Sequence, residues 1–472
     1  MTPAAENNEV CRGTKRCVMR RFPLSRAFSQ CRLLILALFA FSACTGDSPS
    51  SAILASRVTF AAAAGSVTVK STSPDTATVD STLDVHVFGT GFDPGSRANW
   101  AINGVLSPKV VTNSTRFVSS TELVANITIA RDAPVASYDV IVTASSGKGG
   151  IGTECFVVTP KTTDLGTLGG AESEAFGVNN FTQVVGWAFV PSGVEHAFLW
   201  TKATGMRDLG TLGGSSSRAY GINDNGQVVG YAYTVAGQQH AFLWTATDGM
   251  RDLGTLGGTF SEATGVSQNG VIAGSSFLTG GGTQFACVWL GGVIESLGTA
   301  TSRAMGVNNA LQVVGWFAGY KPSDVTALLW TKSGGMWTSE AIPAPSTGSM
   351  SMAYGINELG QIIGGFRLTT GQASAFSWTR ETGSKELPWM TRGTGAQGYA
   401  ITNQGRLAGK AWDRSGSTHP TFWDPSGSGW NVKVILGTLK SDAWVNSVND
   451  NYQAVGRGTK GTVRHAMLWE VP

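Results

Sequence analysis

AYGINDNGQVVGYAYTVAGQQHAFLWTATDGMRDLG, residues 219–254, is one full copy of a unit that repeats through the C-terminal two-thirds of the chain. Its apolar positions alternate with period two in four short runs, AYGIN, QVVGYA, HAFLW and MRDLG. Each run stops at a turn signal such as Asp224-Asn225-Gly226, so the unit reads as four antiparallel strands. Seven copies of the first anchor begin at residues 175, 219, 263, 304, 353, 398 and 445, spaced by 44, 44, 41, 49, 45 and 47 residues. A second anchor, HAFLW in its best copies, ends in Trp200, Trp244, Trp289, Trp330, Trp378, Trp423 and Trp469. A third, DLGTLGG at 164, 208 and 252, fades to ESLGTA at 295, EAIP at 340, KELP at 385 and ILGTL at 435.

A lone four-stranded unit cannot cover both of its apolar faces, so the copies must stack on one another around an axis. Four strands every 41 to 49 residues predict a seven-bladed β-propeller over residues 161–472. DLGTLGG at 164 precedes the first full unit, while the seventh unit lacks a fourth strand after HAMLWEVP. The orphan strand near 162–166 therefore completes the last blade, and the N- and C-terminal strands of the ring pair to close it.

DLGTLGG, GINDNGQVVG and HAFLW resemble the HAF repeat, a bacterial family described as probable extracellular repeats. The resemblance covers about 310 residues, implies the location and the fold, and leaves ligand and chemistry open. Upstream, residues 67–160 hold short alternating runs such as LDVHVFGTGF and ASYDVIVTA, punctuated by Gly, Pro, Asp and Ser, which predict five to seven strands in a sandwich. Ser73-Pro74, FGTGFDPGS at 88–96, ING at 102–104, STELVANI at 120–127 and YDVIVT at 138–143 resemble the IPT/TIG type of immunoglobulin-like domain. That resemblance implies a spacer or adhesion module. The fold class expected for the whole is all-β, an immunoglobulin-like sandwich followed by the closed propeller.

Residues 1–44 read as an export signal. RLLILALFAFSAC, 32–44, is an apolar run of the length of a signal-peptide core and too short for a membrane-spanning helix. It ends in Phe41-Ser42-Ala43-Cys44, which resembles a bacterial lipobox with Phe41 where Leu is usual; the resemblance implies that Cys44 carries the lipid. Simple cleavage without lipidation is the alternative. Thr45, in place of Asp, implies the outer membrane, and Met19-Arg20-Arg21 offers a more conventional start. Residues 45–66, small and weakly patterned, read as a flexible tether.

Residues 1–44 hold seven of the 34 Lys and Arg and two of the 31 Asp and Glu, which leaves 27 positive against 29 negative charges in the rest. No basic stripe remains to follow a phosphate backbone, which excludes nucleic acid as a partner. With 62 glycines and only 14% charged residues, the chain suits short strands and tight turns. Beyond Cys44 the cysteines are Cys155 and Cys287, in different predicted domains, and they read as small buried apolar residues rather than a bridge.

The motifs that usually carry chemistry give little. Three GxGxxG strings, at 147–152, 393–398 and 456–461, match no strand-to-helix context. His196, His240, His419 and His465 share one slot four residues before the repeat tryptophan, filled elsewhere by Phe285, Thr326 and Ser374, and read as structural hydrogen-bonding groups. Asp164, Asp208 and Asp252 recur as turn caps. Asn223-Asp224-Asn225-Gly226 and Asn449-Asp450-Asn451 look superficially like calcium loops, but NNFT, SQNG and NNAL in other copies lack the acidic oxygens, so a hairpin turn is the reading. No GxSxG, HExxH or P-loop string occurs, and no cofactor or metal is expected.

What departs from the repeat is the remaining guide to a ligand. Trp316, Phe317 and Tyr320, Trp337 in the insertion at 336–351, and Trp389 beside Met390 are the aromatic residues expected to bind. The expected protein is thus a monomeric envelope lipoprotein, facing the exterior or periplasm, whose propeller binds glycan, peptide or protein. A propeller enzyme acting on extracellular glycans, or a purely structural envelope protein, are the alternatives.

Overall fold

The computed structural model describes residues 67–471 apart from 299–300, 320–324, 346–347, 428 and 436–439. The export signal with Cys44, the tether and Tyr320 lie outside the described residues. The described chain is all-β and divides into two sets of sheets within the compact unit Ala55–Pro472.

The N-terminal set holds nine strands in two facing sheets. One runs in the order Thr68–Ser73, Ser81–Thr90, Glu122–Ile129, Val110–Ser119; the other Thr76–Thr78, Gly149–Thr159, Ala136–Thr143, Arg97–Ile102, Val105–Leu106. Alternate residues point inward to one core, with Val85, Val87, Trp100, Tyr138 and Phe156 at most 1% exposed. Two of these rings carry a polar tip that must be satisfied, and both are: Trp100 Nε1 donates to Thr112 Oγ1 at 3.2 Å and Tyr138 OH to the Pro134 carbonyl at 3.0 Å.

The repeats form seven four-stranded antiparallel sheets among the described residues, in a propeller-like arrangement. In repeat 2 the order is Gly213–Ile222, Val228–Thr234, Gln239–Thr245, Gly249–Asp252, and a single parallel bridge, Gln239↔Phe260, joins it to repeat 3. The seventh sheet consists of Lys440–Val448, Gln453–Lys460, Val463–Glu470 and, as its outer strand, Lys161–Asp164 from before the first repeat. That strand pairs antiparallel with the last one in the register Lys161↔Glu470 to Asp164↔Met467.

Each sheet is covered on both faces, which explains why its third strand is a continuous apolar run. In HAFLW of repeat 2, Phe242 and Trp244 pack against Val185, Ala197 and Leu209 of repeat 1. Ala241 faces the other way, against Ala263 and Trp289 of repeat 3. The same division holds around the set, so that every repeat tryptophan fills the space before its own sheet. Trp200 does so against Val455, Ala466 and Leu468 of repeat 7, which makes the series of cores cyclic. All seven of these tryptophans are at most 8% exposed.

A belt of side-chain amides follows the same circle. At the turn after each first strand, Asn179 donates to the Asn223 carbonyl (3.0 Å), Asn223 to Ser267 (2.9 Å), Asn308 to Asn357 (3.0 Å), and Asn357 to Thr402 (3.1 Å). Where the slot is Ser267 or Thr402, the next residues substitute: Asn269 N donates to Asn309 Oδ1 at 2.9 Å, and Asn403 Nδ2 to Asp450 Oδ2 at 2.8 Å. Asn449 then donates back to the Asn179 carbonyl at 2.8 Å.

The first set of sheets meets this belt end of the repeats. Arg131 Nη2 lies 3.4 Å from Glu470 Oε2, beside a cleft of about 330 Å³ bordered by Asp80, Asp132, Asn451 and Tyr452.

Candidate functional site: the axial cavity

The first strands of successive repeats contact one another all the way round, and the first strand of repeat 7 contacts that of repeat 1. They therefore line the axis. Each carries a β-bulge at one position: pairing with the second strand skips Phe176, Tyr220, Thr264, Met305, Tyr354, Tyr399 and Asn446. A bulged residue is released from the ladder and its side chain is re-aimed. All seven of these side chains line one axial cavity of about 430 Å³.

The glycine of QVVG makes the bulge possible. A Cβ on Gly186 would stand 2.0 Å from the Glu174 carbonyl, and one on Gly230 1.9 Å from that of Arg218, closer than any side chain tolerates. The sequence feature that looks like a turn-adjacent glycine is thus the device that points one residue per repeat at the axis.

Charged residues join the ring from two positions before the bulge, as Glu174 and Arg303, and from the second strand, as Lys410. Glu174 is 6% exposed and accepts from Trp444 Nε1 at 3.1 Å and Asn446 Nδ2 at 2.9 Å. The Arg457 guanidinium stacks 3.8 Å over the Trp444 ring, with its Nη1 3.8 Å from Glu174. Glu262, 5% exposed, pairs with Arg303 at 2.8 Å and accepts from Ser275 Oγ at 2.9 Å. Gln397 donates to the Tyr354 hydroxyl at 3.0 Å and accepts from that of Tyr399 at 2.9 Å.

Lys410 differs from these. Among the described residues its ammonium has no carboxylate or other acceptor within bonding distance, and it faces the rings of Trp444, Trp412 and Tyr399 at 5.0, 5.1 and 5.4 Å. Burial, and then the Arg457 charge, hold its pKa below the usual lysine value. Burial also lifts the phenols of Tyr220 and Tyr399 well above their ordinary range, so both remain hydroxyl donors. The cavity offers aromatic faces, hydroxyl and carboxylate groups and, in Lys410, an ammonium with spare bonding capacity. That set suits a small polar ligand with apolar faces.

The aromatic residues singled out from the sequence lie elsewhere. Trp316 and Phe317 pair with Arg303 and Ser302 on the second strand of repeat 4. Trp337 is on an outer strand, its Nε1 donating to Glu295 at 2.8 Å under Lys332. Trp389 donates to Ser374 Oγ at 2.9 Å and packs against the core between repeats 5 and 6. None of the four lines the axial cavity. The cavity residues were visible in the sequence as the one variable column, Phe, Tyr, Thr, Met, Tyr, Tyr, Asn, between two small-residue columns of the first anchor.

The repeated histidines and aspartates find each other. His196, His240 and His465 place Nδ1 at 2.8, 2.7 and 2.9 Å from Asp208, Asp252 and Asp164. The same aspartates accept from the amides of Gly210, Gly254 and Gly166, capping the turn. His419 uses Nε2 and a local partner, Asp413, at 2.9 Å. Asp224 spends its carboxylate on the backbone and side-chain amides of Asn180, at 2.8 and 2.9 Å. The thiols of Cys155 and Cys287 are both free, and Cys287 is buried.

No protein-family model matches the chain, and no curated protein matches it. Solved structures similar to it include a gluconolactonase from Xanthomonas campestris, at 8% identity over 66% of this chain and 95% of the other, TM-score 0.35. An Aleuria aurantia lectin in complex with alpha-methyl-L-fucoside aligns at 11% identity over 61% and 98%, TM-score 0.32. An auxiliary nutrient binding protein from Bacteroides ovatus aligns at 11% identity over 86% and 98%, TM-score 0.27. The strand pairing itself, not these likenesses, defines the fold.

Proposed function

We propose that this is an exported envelope protein, anchored through Cys44, in which a closed seven-bladed propeller of HAF-type repeats binds an extracellular glycan in its axial cavity. The single observation that carries the binding role is the convergence of one bulged side chain from every repeat on that cavity, beside Lys410, Glu174 and Arg303. A purely structural ring gains nothing from five kinds of side chain at the one position that packing leaves free. The two sheets of residues 67–160, an immunoglobulin-like spacer of the IPT/TIG kind, sit at the amide-belt end, while Glu174, Arg303 and Trp444 precede the bulges and so place the cavity toward the other end.

Binding is tested by screening the purified protein against extracellular saccharides, with Met305→Trp filling the cavity. Glycan retention that Met305→Trp abolishes without lowering the melting temperature is the expected result; retention unaffected by the filled cavity would sink the reading. A second reading is a glycan hydrolase or lyase, favoured by the buried carboxylate of Glu174 in the lining together with tyrosine hydroxyls. Release of new reducing ends from a bound polysaccharide would select it.

A further inference from the structure

The cavity treats its charges unequally. The lining carboxylate, Glu174, is already engaged by Trp444 and Asn446, and Glu262, which does not line the cavity, is engaged by the lining Arg303 and by Ser275. Arg303 is neutralised by Glu262, and Arg457 is stacked on Trp444 with Nη1 3.8 Å from Glu174. Of the two lining cations, Arg303 and Lys410, Lys410 has aromatic rings around its ammonium and no ion-pair or hydrogen-bond partner among the described residues, Glu174 acting on it only at longer range. Three rings about 5 Å away offset part of the desolvation of an ammonium, but they leave its N–H donors without acceptors. A half-buried ammonium in a cavity of about 430 Å³ is completed by an anion entering from solvent.

The geometry points to a carboxylate-bearing sugar as the ligand of this cavity: a uronic acid residue whose carboxylate meets Lys410 and whose pyranose ring lies against the aromatic side chains. The ring assignment rests on the glycan reading above; the anion assignment rests on Lys410. Tyr354 and Tyr399 meet edge to face at 5.5 Å, and Phe176 and Tyr220 at 5.3 Å, which gives the cavity aromatic surfaces on two sides. Such surfaces complement the C–H faces of a pyranose, and the Tyr220 hydroxyl remains protonated to donate to its oxygens. An acidic peptide supplies the anion but not the ring, so it is the outcome the test must separate.

The test is calorimetric titration of the purified protein with methyl galacturonate and methyl glucuronate, their methyl esters, the matching neutral hexosides, and an acidic peptide. The uronates are expected to bind on the order of thirtyfold more tightly than their esters and the neutral sugars. Lys410→Met should bring that ratio to about one, Lys410→Arg should keep most of it, and Lys148→Met, a surface control on the N-terminal sheets, should leave it unchanged. The esters remove the charge from the ligand, so the comparison stands even where Lys410→Met does not fold. Equal affinity for acid and ester overturns the anion assignment and leaves glycan binding intact. Binding of the peptide in preference to every sugar overturns the sugar assignment, and binding of no saccharide at all overturns this inference together with the glycan reading.

Discussion

At the turn of repeat 2 a single amide makes four bonds. Asn223 Oδ1 accepts from the amides of Asn225 at 3.1 Å and Gln227 at 3.0 Å, and its Nδ2 donates to Gln227 Oε1 at 2.7 Å and the Ser267 carbonyl at 2.9 Å. Removing it strands buried partners on two repeats, so Asn223→Ala should lower unfolding free energy by about 2 kcal/mol in a denaturant titration. A loss below about 0.5 kcal/mol would mean that water replaces the amide. The repeat tryptophans supply a matched pair of experiments. Trp289 Nε1 donates to the Leu253 carbonyl at 2.8 Å, whereas Trp469 Nε1 is buried with no hydrogen-bond partner among the described residues. Substitution by Phe removes similar volume at both, so Trp289→Phe should cost about 1 kcal/mol more than Trp469→Phe. Equal melting temperatures for the two variants would contradict that difference.

At the scale of the element, the bulge couples the wall of each sheet to the axis. Gly230→Ala puts a methyl group 1.9 Å from the Arg218 carbonyl, and the first strand must straighten or shift to admit it. A destabilisation of about 1–3 kcal/mol is expected, accompanied by loss of ligand binding, because Tyr220 is turned from the cavity. Stability lost with binding fully retained would uncouple the two. The outer strand of repeat 4 offers a pH experiment. Hydrogen bonds from Lys332 and Trp337 hold the Glu295 carboxyl below its ordinary value, against a smaller upward effect of burial. A depressed carboxylate adds stability above its unfolded pKa and loses it as pH falls through the folded one, so the window lies at and below the ordinary glutamate range. Trp337→Phe should move the Glu295 titration midpoint upward by NMR; an unmoved midpoint refutes the contact. These elements also show what the sequence could convey. Strand runs, turns and the tryptophan slot were legible because burial on both faces forces the same residue types in every copy, and the His slot because His196 and His240 each meet an aspartate twelve residues further on. The cavity was written only as a variable column, since ligand-facing positions are the ones packing leaves free, whereas Trp337 and Trp389 drew notice as aromatic residues outside the repeat although hydrogen bonds tie both into the sheets.

At the scale of the whole molecule, stability is a property of a circle. The cores pass from repeat to repeat and from the seventh to the first, and the amide belt does the same. Unlike an open stack, such an arrangement has no end sheet with a bare apolar face. Thr163→Pro, in the outer strand of the closing sheet opposite Leu468, removes a donor from the strand pairing that, among the described residues, joins the two ends of the repeats in one sheet. We expect a single cooperative transition at lower temperature, since opening one seam exposes the faces on both sides of it; a separate early transition with six sheets intact would show the repeats to be independent. The register Lys161↔Glu470 has a mechanical meaning as well. The strand that leads out of the first set of sheets is itself the clasp, so under the proposed anchoring and glycan binding a pull between the two would be borne first by its four residues. Under such a load the ring of sheets would open at that seam first.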